Sequence, residues 1–497
     1  MSLLSFIQYQ YLKRYTSLIN TNRFHAIECQ QQTFASLINA AKNTAFGKEH
    51  SFNSIKTYDD FKRNVPLRIY EDFNLYIERI LNREPSVLYP GLPAFFGKSS
   101  GTTDKPKLIP VTNESLQCTQ YAALYMLSNL SAKLNSAKFM GSKVLALTDQ
   151  QNFENVNGFL CGAISSIKSS SIPKWAKRFS FPPTEINNIE DPSKKISATI
   201  KNIQNNNIRM ATALPVYLSY FLQQFELITL QKFKDIFPAF SVVFLSGMNY
   251  EPYENLLRKN LGDDVLMMEN YSATEGNFAY QTEPHVKGME IICNQGIFYE
   301  FVELKNVNNK DTERLCLNDV QTGKPYSIII STNNGLWAYV MNDIVEFISI
   351  QPYRLIVSGR LKDIFSPFGE QMLPIQAEQA IAETCNQTNK TLIDFIVVPD
   401  FNHSSFRYKC YAAFEQANVD TFQFATILHQ QLSKHNSYYN DLVKTGVLTH
   451  PEIIVVNRNF FSEANNSKGF NISAQQKITH LINNKETISK LENIVTD

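Results

Sequence analysis

Segments typical of β-strands alternate with segments typical of helices between Asn113 and Gly276. Along Asn113–Leu134, apolar side chains recur at steps of three, four or seven residues, which predicts a long helix. Lys143–Leu147, Ser241–Leu245 and Val265–Met268 are short, mostly apolar runs, as expected for buried strands. Strands that alternate with helices pack as layers of sheet and helix, so the sequence predicts an α/β fold.

Two of these strands are followed by small and polar residues. Ser246 and Gly247 come directly after Ser241–Leu245, and the segment Tyr271-Ser272-Ala273-Thr274-Glu275-Gly276 follows Val265–Met268. In open α/β sheets, ligands bind beyond the carboxyl ends of the strands. We therefore expect Ser246, Gly247 and the Tyr271–Gly276 segment to lie at one binding edge.

The side chains of the Tyr271–Gly276 segment suit a nucleotide. Tyr271 can stack on a purine, Thr274 can donate a hydrogen bond to a phosphate oxygen, and Glu275 can hold Mg²⁺ among triphosphate oxygens. The alternative is a polar turn from a strand into a helix, with Thr274 as the helix cap. Taken alone, the segment leaves both interpretations open.

A polar loop lies further towards the N-terminus, before the strand-like Leu108-Ile109-Pro110. Five consecutive residues of this loop are small or hydroxylated: Ser99, Ser100, Gly101, Thr102 and Thr103. Such a loop can direct backbone N–H groups and hydroxyls at an anion, and Lys105 and Lys107 add positive charge beside it. It lacks the glycine pattern of a Walker A loop. An ordinary surface loop is the alternative.

Asp343 follows a turn-forming Asn in the strand-like stretch Trp337–Phe347. A carboxylate at this position can accept hydrogen bonds from both ribose hydroxyls of a nucleotide, and an Asx turn is the alternative. The next strand-like stretch ends at Gly359 and turns into charged residues. We place a domain boundary there, between an N-terminal domain of residues 1–359 and a C-terminal domain of residues 360–497.

The C-terminal third has its own pattern of strands and helices, which predicts a small α+β domain. Its tail contains a polar loop with two lysines, Lys468 and Lys477. Most lysines in such tails are solvated, so the residue types alone give neither lysine a role.

The composition excludes several classes of protein. The 497 residues carry 47 Lys and Arg against 46 Asp and Glu, a balance that gives no electrostatic footprint for nucleic acid or an anionic membrane. The seven cysteines are scattered without a CxxC pair, and no apolar run approaches the length of a membrane span. We expect a soluble, cytoplasmic protein with neither nucleic acid nor membrane as a partner.

Taken in order, the motifs resemble those of the adenylate-forming superfamily, which includes acyl-CoA synthetases, peptide-synthetase adenylation domains and firefly luciferase. The chain is more closely similar to the Gretchen Hagen family, the auxin-responsive acyl acid–amido synthetases of plants with bacterial relatives. The segments that carry this closer resemblance are Thr44–Lys48, Val65-Pro66, Tyr70–Asp72, Ser99–Thr103, Lys107–Thr112, Ser467–Gly469 and Gln475–Lys477.

This resemblance implies an ATP- and Mg²⁺-dependent ligase that adenylates a carboxylic acid and transfers the acyl group to an amine, usually of an amino acid. A large N-terminal domain would bind nucleotide and acid, and a small C-terminal domain would swivel near Arg360–Asp363. The implied catalytic residues are Lys477, Glu275 and Thr274, with Glu275 also holding the metal. The implied nucleotide-binding residues are Ser99, Ser100, Gly101, Thr102, Thr103, Lys107, Ser246, Gly247, Tyr271, Asp343 and Arg360.

The chain also departs from the family pattern. Asn342 stands where the family has Gly, and Lys477 is followed by Ile-Thr-His where relatives have Val-Pro-Arg, so Lys468 remains a rival for the catalytic lysine. An acyl-CoA ligase of the same superfamily and a catalytically silent relative are the alternative functions. The acid pocket is expected to draw on Tyr121–Leu127, Leu214–Tyr217 and Ser246–Met248.

Overall fold

The computed structural model describes residues 3–99, 107–140, 142–148, 152–172, 177–307, 312–401, 406–457, 459–461 and 480–496. Its α-helices are α1 (Leu3–Lys13), α2 (Thr16–Phe24), α3 (Ala26–Ala41), α4 (Ala45–Glu49), α5 (Tyr58–Asn64), α6 (Asn74–Leu81), α7 (Asn113–Leu134), α8 (Ile164–Ser170), α9 (Thr184–Asn187), α10 (Pro192–Ile203), α11 (Pro215–Thr229), α12 (Phe233–Ile236), α13 (Glu254–Leu261), α14 (Pro374–Thr388), α15 (Thr421–His435), α16 (Ser437–Lys444) and α17 (Lys485–Thr496). Within this described part of the chain, no helix is both long enough and apolar enough to cross a bilayer.

The strands form three sheets. They are β1 (Phe95–Ser99), β2 (Lys107–Val111), β3 (Lys143–Ala146), β4 (Glu154–Val156), β5 (Phe159–Ala163), β6 (Ser180–Phe181), β7 (Ile208–Ala213), β8 (Val242–Ser246), β9 (Leu266–Ala273), β10 (Gly276–Tyr280), β11 (Met289–Ile291), β12 (Ile297–Glu303), β13 (Pro325–Thr332), β14 (Tyr339–Ile350), β15 (Tyr353–Arg360), β16 (Leu392–Asp400), β17 (Arg407–Phe414) and β18 (Glu452–Val455).

The largest sheet has eleven strands in the order β12-β13-β14-β15-β11-β10-β9-β8-β7-β3-β6. Its half from β6 to β9 is parallel, because helices α10 to α13 return the chain between successive strands. Its other half, from β9 to β12, is antiparallel. This mixed sheet with its helices confirms the α/β fold predicted from the alternating segments.

A second sheet of four strands, in the order β2-β1-β5-β4, packs beside the first. Strands β1 and β2 are antiparallel, with Phe95 opposite Val111 and Ser99 opposite Lys107. The two ends of the polar loop predicted between these strands, Ser99 and Lys107, are therefore paired with each other across the sheet. Residues 100–106 themselves lie outside the described part of the chain.

Local sequence signals account for the helices that support these sheets. The Thr57 side chain accepts a hydrogen bond from the Asp60 N–H, and the Asp60 carboxylate accepts one from the Thr57 N–H, so a capping box starts α5. Trp337 is fully buried, and its indole N–H donates to the Leu88 carbonyl at 2.9 Å. Its ring lies 4.8 Å from that of Phe52, which joins the N-terminal helices to the large sheet.

The C-terminal part forms the third sheet, with strand order β16-β17-β18. Helices α14 and α15 pack on one face, where Ile381 and Leu428 are buried. On the other face, Phe460 and Leu491 of the tail cover the sheet. The predicted strands and helices of a small α+β domain are therefore present, whereas Lys468 and Lys477 fall outside the described residues.

A buried polar cluster joins this C-terminal part to the rest of the chain. His480 Nδ1 lies 2.9 Å from Glu378 Oε1, and its Nε2 lies 3.5 Å from Asp394 Oδ1. From the opposite side, the Tyr253 hydroxyl donates to Asp394 at 3.1 Å and lies 3.1 Å from His480 Nε2. The Phe395 ring stacks on the imidazole at 4.1 Å. Burial alone would lower the pKa of His480, but its hydrogen bonds to Asp394 and Glu378 raise that pKa to about 9.

This cluster predicts a pH dependence of stability. Because the folded pKa of His480 lies above the ordinary value of about 6.5, its protonation stabilises the folded state below that pH, and the contribution is lost as the pH rises through about 9. We expect the free energy of unfolding, measured by urea denaturation, to fall by up to about 3 kcal/mol from neutral pH to about pH 10 because of this group. His480→Gln, which cannot be protonated, should remove this component. Equal pH slopes for both proteins would contradict the assignment.

Candidate active site

A cavity of about 780 Å³ lies at the carboxyl edge of the parallel strands. Residues at this edge line it: Ala146 ends β3, Thr212 lies next to the end of β7, Ser246 ends β8 and is followed by Gly247, and Asn270 of β9 pairs with Ser246. Gly247 has φ +87°, which lets the chain turn away sharply after the strand. The structure therefore brings Ser246, Gly247 and the Tyr271–Gly276 segment to one edge, as predicted from the sequence.

Thr274 and Glu275 form the tight turn between β9 and β10. The two strands pair antiparallel, with Ala273 opposite Gly276, so the alternative of a strand-to-helix turn capped by Thr274 is wrong. Both turn residues are largely buried, and both line the cavity. The Asn334 side chain fixes the turn, because its amide donates to the Glu275 carbonyl at 3.3 Å and its oxygen accepts from the Thr112 N–H.

The polar loop between β1 and β2 begins beside this turn. Gly97 of β1 lies so close to Thr274 that a Cβ at residue 97 would overlap the Thr274 methyl group. Ser99 and Lys107, the two ends of the loop, line the cavity together with Lys98. The remaining predicted residues of this set lie outside the described chain: Ser100, Gly101, Thr102, Thr103 and the tail residue Lys477.

Asp343 lies in β14, directly opposite Arg360 of β15, so the alternative of an Asx turn is wrong. Its carboxylate accepts hydrogen bonds from the Tyr271 hydroxyl at 2.7 Å and from Arg360 Nε at 3.0 Å. Asn342, the residue that replaces the glycine of the family pattern, has φ +64°. That left-handed conformation explains why Gly or Asn is suited to this position.

Tyr271 is held at its ring by Phe278 and at its hydroxyl by Asp343. Its ring packs against Phe278 with centroids 4.7 Å apart, and burial together with the neighbouring Asp343 raises the pKa of its hydroxyl well above the ordinary value. The hydroxyl is therefore a donor to Asp343 at neutral pH. Tyr271, Asn342 and Arg360 line the cavity, and the Asp343 carboxylate lies just behind them.

Most of the charged side chains that line the cavity are cationic in the described part of the chain. Only two carboxylates, Glu71 and Glu275, are among its lining residues in the described part of the chain. Six cationic side chains line the same cavity: Lys98, Lys107, Lys168, Lys177, Arg360 and Lys362. Burial raises the pKa of Glu275, and the positive charges of Arg360 and Lys107 act in the opposite direction. Such a wall suits a ligand that carries several negative charges.

Part of the cavity lining is apolar. It includes Ala122, Ala123, Met126, Leu127 and Leu214 from two of the regions predicted to form the acid pocket, and Ser246 and Gly247 from the third region line the cavity as well. Val144, Met210 and Phe244 of the parallel strands extend this apolar surface. We call this part of the cavity the apolar chamber. Lys168 and Asn277 also line the cavity, although no motif in the sequence indicates either residue.

The described residues contain no group of three or more His, Cys, Asp or Glu side chains that could hold a metal ion. A metal held entirely by such side chains is therefore not a feature of this part of the chain. Mg²⁺ differs, because it usually retains waters and binds through one or two carboxylates together with the phosphates of a nucleotide. The buried carboxylate of Glu275 in the cavity wall fits that mode of binding.

Three family models match consecutive parts of the chain. The GH3 family N-terminal domain matches residues 18–237, the central domain residues 290–360, and the C-terminal domain residues 375–486. The chain belongs to the GH3 family. The resemblance to the Gretchen Hagen family inferred from the motifs is thereby confirmed.

Individual relatives in this family are distant in sequence. The jasmonoyl–L-amino acid synthetase GH3.5 of Oryza sativa subsp. japonica is 23% identical over 402 residues, which cover 65% of this chain and 68% of that protein. The solved structure of the AtGH3.15 acyl acid amido synthetase in complex with 2,4-DB superposes with a TM-score of 0.78 at 18% identity, covering 97% of this chain and 96% of that one.

The fold also extends beyond the GH3 family. A 2-hydroxyisobutyryl-CoA ligase in the postadenylation state superposes with a TM-score of 0.62 at 12% identity, covering 96% of this chain and 92% of that chain. This likeness supports the adenylate-forming fold that the order of the motifs indicated, with a smaller C-terminal domain after the large N-terminal part.

The contact between Gly97 and Thr274 gives a test of this geometry. Gly97→Ala should lower the free energy of unfolding by about 1–3 kcal/mol, because the added methyl group overlaps Thr274 Cγ2 in a packed site. Thr274→Ser in the same chain removes that Cγ2 and should restore most of the loss. The measurement is chemical denaturation of the wild type, both single variants and the double variant. A double variant no more stable than Gly97→Ala would contradict the contact.

Proposed function

We propose that this protein is an ATP-dependent ligase that joins a carboxylic acid to an amine through an acyl-adenylate. The observation that carries the proposal is the division of one cavity into a cationic wall and an apolar chamber. Ser99, Lys107, Thr274, Glu275 and Arg360 meet at the cationic wall. Membership of a family whose relatives are named amido synthetases and amino acid synthetases supports this ligase activity over other uses of the fold.

The reaction has two balanced steps. A carboxylate oxygen of the acid attacks the α-phosphorus of ATP, and pyrophosphate leaves. The amine nitrogen then attacks the acyl carbonyl and loses a proton, and AMP leaves as the amide forms. The first step concentrates negative charge on phosphate oxygens, and preorganised cations and donors beside those oxygens lower its barrier.

We assign the residues of the cationic wall to the nucleotide. The polar loop from Ser99 to Lys107 contributes donors and positive charge to the phosphates, and Thr274 contributes a hydroxyl. The Tyr271 ring and the Asp343 carboxylate, held by Arg360, form the nucleoside side of the site. Each oxygen of Asp343 keeps a lone pair for a ribose hydroxyl, because a carboxylate oxygen can accept more than one hydrogen bond.

Glu275 is the residue we assign to Mg²⁺, which would neutralise charge on the phosphates when bound. Two features of the chain then protect the adenylate. The apolar chamber excludes water from the acyl group, and the C-terminal domain, residues 360–497 in our division, closes over the cavity by rotation near Arg360–Asp363.

The apolar chamber indicates the class of acid. Aliphatic and sulfur-containing side chains such as Met126, Leu127 and Met210 favour an acid with an apolar body over a small polar one. Two relatives support this class of acid, since one is named for jasmonoyl conjugates and another was solved in complex with 2,4-DB. For the second substrate, the names of the relatives favour an amino acid.

The alternative functions predict different products. An acyl-CoA ligase would need coenzyme A for the release of AMP, and a silent relative would release neither pyrophosphate nor AMP. Thr274, Glu275, Asp343 and Arg360 are all present around one cavity, which argues against a silent relative.

The decisive experiment incubates the protein with ATP, Mg²⁺, a panel of apolar carboxylic acids, and either the twenty amino acids or coenzyme A. Mass spectrometry should detect an amide with one AMP and one pyrophosphate per product, and a thioester alone would overturn the proposal.

Glu275→Gln tests the metal assignment. The change removes a charged oxygen ligand while keeping the size of the side chain, so the protein should fold normally and acid-dependent pyrophosphate release should fall by at least about 100-fold. Circular dichroism and thermal denaturation provide the control for folding. Pyrophosphate release at the wild-type rate would remove Glu275 from the active site.

Lys477→Ala tests the tail lysine. A lysine on a mobile domain can place a compact positive charge against the α-phosphate and the attacking carboxylate, so adenylation should slow by about 100-fold or more. The second half-reaction, started from supplied acyl-adenylate, should change little. Lys468→Ala is the matched control from the same loop. If Lys468→Ala stops adenylation and Lys477→Ala does not, the catalytic lysine is Lys468.

A further inference from the structure

Lys168 projects from the short helix α8 to the wall of the cavity. Its ammonium group donates a hydrogen bond to Asn277 Oδ1 at 2.9 Å. The side chain is half-buried, and it lines the cavity together with its helix neighbours Ile164, Ser165 and Ser169. None of the motifs that assign nucleotide-binding residues includes this lysine.

Asn277 is held in one orientation by the rest of the wall. Its amide nitrogen donates to Thr119 Oγ1 at 2.9 Å, and the Thr119 hydroxyl in turn donates to the Ser115 carbonyl at 3.1 Å. The amide oxygen of Asn277 is thereby directed at Lys168. This partner is a neutral acceptor, so it orients the ammonium group without balancing its charge.

The positive charge of Lys168 has no carboxylate beside it in the described part of the chain. No ion pair among the described residues includes Lys168, whereas Lys98 is paired with Glu154 and Arg360 with Asp343. Burial lowers the pKa of Lys168 to about 8. A lysine charge in a protein wall is costly unless it is paired, so its retention there points to a counter-charge supplied from outside the protein.

The position of Lys168 indicates where that counter-charge binds. Asn277 is separated from Glu275 by a single residue, and Ala279 of the same strand also lines the cavity. Ile164 and Ile172 of the α8 region line the same cavity. The ammonium group of Lys168 therefore lines a cavity that also contains the apolar chamber. An acid whose apolar body fills the chamber can present its carboxylate to this ammonium group.

We propose that Lys168, oriented by Asn277, binds a carboxylate of the acid substrate. This inference rests on the proposed ligase function and specifies how that site recognises its acid. Two sources share the chemistry: the carboxylate that reacts, or a second carboxylate on a dicarboxylic acid. In either case Lys168 determines specificity for an anionic ligand over a neutral one of the same shape.

The test measures binding by isothermal titration calorimetry without ATP, so that its failure is distinguishable from a failure of ligase activity. The probes are octanoate, octanedioate and the neutral octan-1-ol. Lys168→Met should weaken octanoate about 10- to 100-fold if Lys168 binds the reacting carboxylate, or octanedioate alone by that factor if it binds a second carboxylate, as expected for a lost charge-assisted hydrogen bond. In both cases octan-1-ol binding should stay unchanged or tighten. Lys168→Arg should keep part of the affinity for the acids.

Asn277→Asp provides the sharpest variant, because it places a carboxylate beside Lys168 in almost the same volume. If Lys168 is kept for a substrate carboxylate, this change should weaken octanoate by a similar factor while the thermal midpoint stays equal or rises. Lys195→Met is the matched control. Lys195 is a buried lysine of α10 that donates to the Thr148 carbonyl at 2.7 Å, and its loss should not alter the preference for octanoate over octan-1-ol.

The outcomes separate the possibilities. Loss of octanoate binding supports recognition of the reacting carboxylate, and loss of octanedioate binding alone supports recognition of a second carboxylate. Equal weakening of octanoate and octan-1-ol by Lys168→Met would make Lys168 a packing residue and overturn the proposal. Failure of wild-type protein to bind either acid, or unchanged acid affinity in both Lys168→Met and Asn277→Asp, would overturn it as well.

Discussion

The change of strand direction at β9 is the constraint on which the rest of the site depends. This strand pairs parallel with β8 and antiparallel with β10, so the chain must reverse tightly at the edge where the parallel strands end. The reversal places Thr274 and Glu275 at the carboxyl edge of the sheet, against Gly97 of the second sheet. A longer connection to a helix at this point would have carried both side chains away from the cavity.

The antiparallel half of the sheet completes the site from the other side. Asp343 and Arg360 are neighbours across β14 and β15, and Tyr271 reaches them from β9. A buried carboxylate that accepts from two fixed donors keeps its position, and breaking either contact would leave a poorly compensated charge. Arg360 ends β15 and begins the Arg360–Asp363 stretch to which we assign the hinge. In our proposal the same ion pair therefore links the nucleotide site to the start of the C-terminal domain.

Much of this arrangement was predictable from local sequence patterns, for physical reasons. The parallel strands and α7 have strong periodicity, and ligand sites in such sheets lie at the carboxyl edge, so Ser246, Gly247 and Tyr271–Gly276 were correctly brought together. The hairpin at Thr274 could not be predicted, because a two-residue turn and a helix cap use the same residue types. The pairing of Asp343 with Arg360 depends on strand register, which neither segment specifies by itself.

Lys168 and Asn277 could not be predicted for a different reason. Lys168 sits in a run of serines and isoleucines whose pattern would equally suit a solvated lysine, and only the packing of α8 against the cavity buries it. Asn277 follows the Thr-Glu turn, but which face of β10 it occupies follows from the hairpin register. Contacts between segments distant in the chain created this part of the site.

Attack by the acid on the α-phosphate is the central step of the proposed reaction, and an isotope measurement tests that step most directly. Once an acid is identified, its carboxylate is enriched with oxygen-18 and the protein converts it to amide with ATP and the amine. Adenylation transfers one carboxylate oxygen to the nucleotide, so AMP should carry one oxygen-18 atom per turnover and pyrophosphate none. Oxygen-18 in inorganic phosphate, or an unlabelled AMP, would contradict an acyl-adenylate and with it the assignment of the cationic wall.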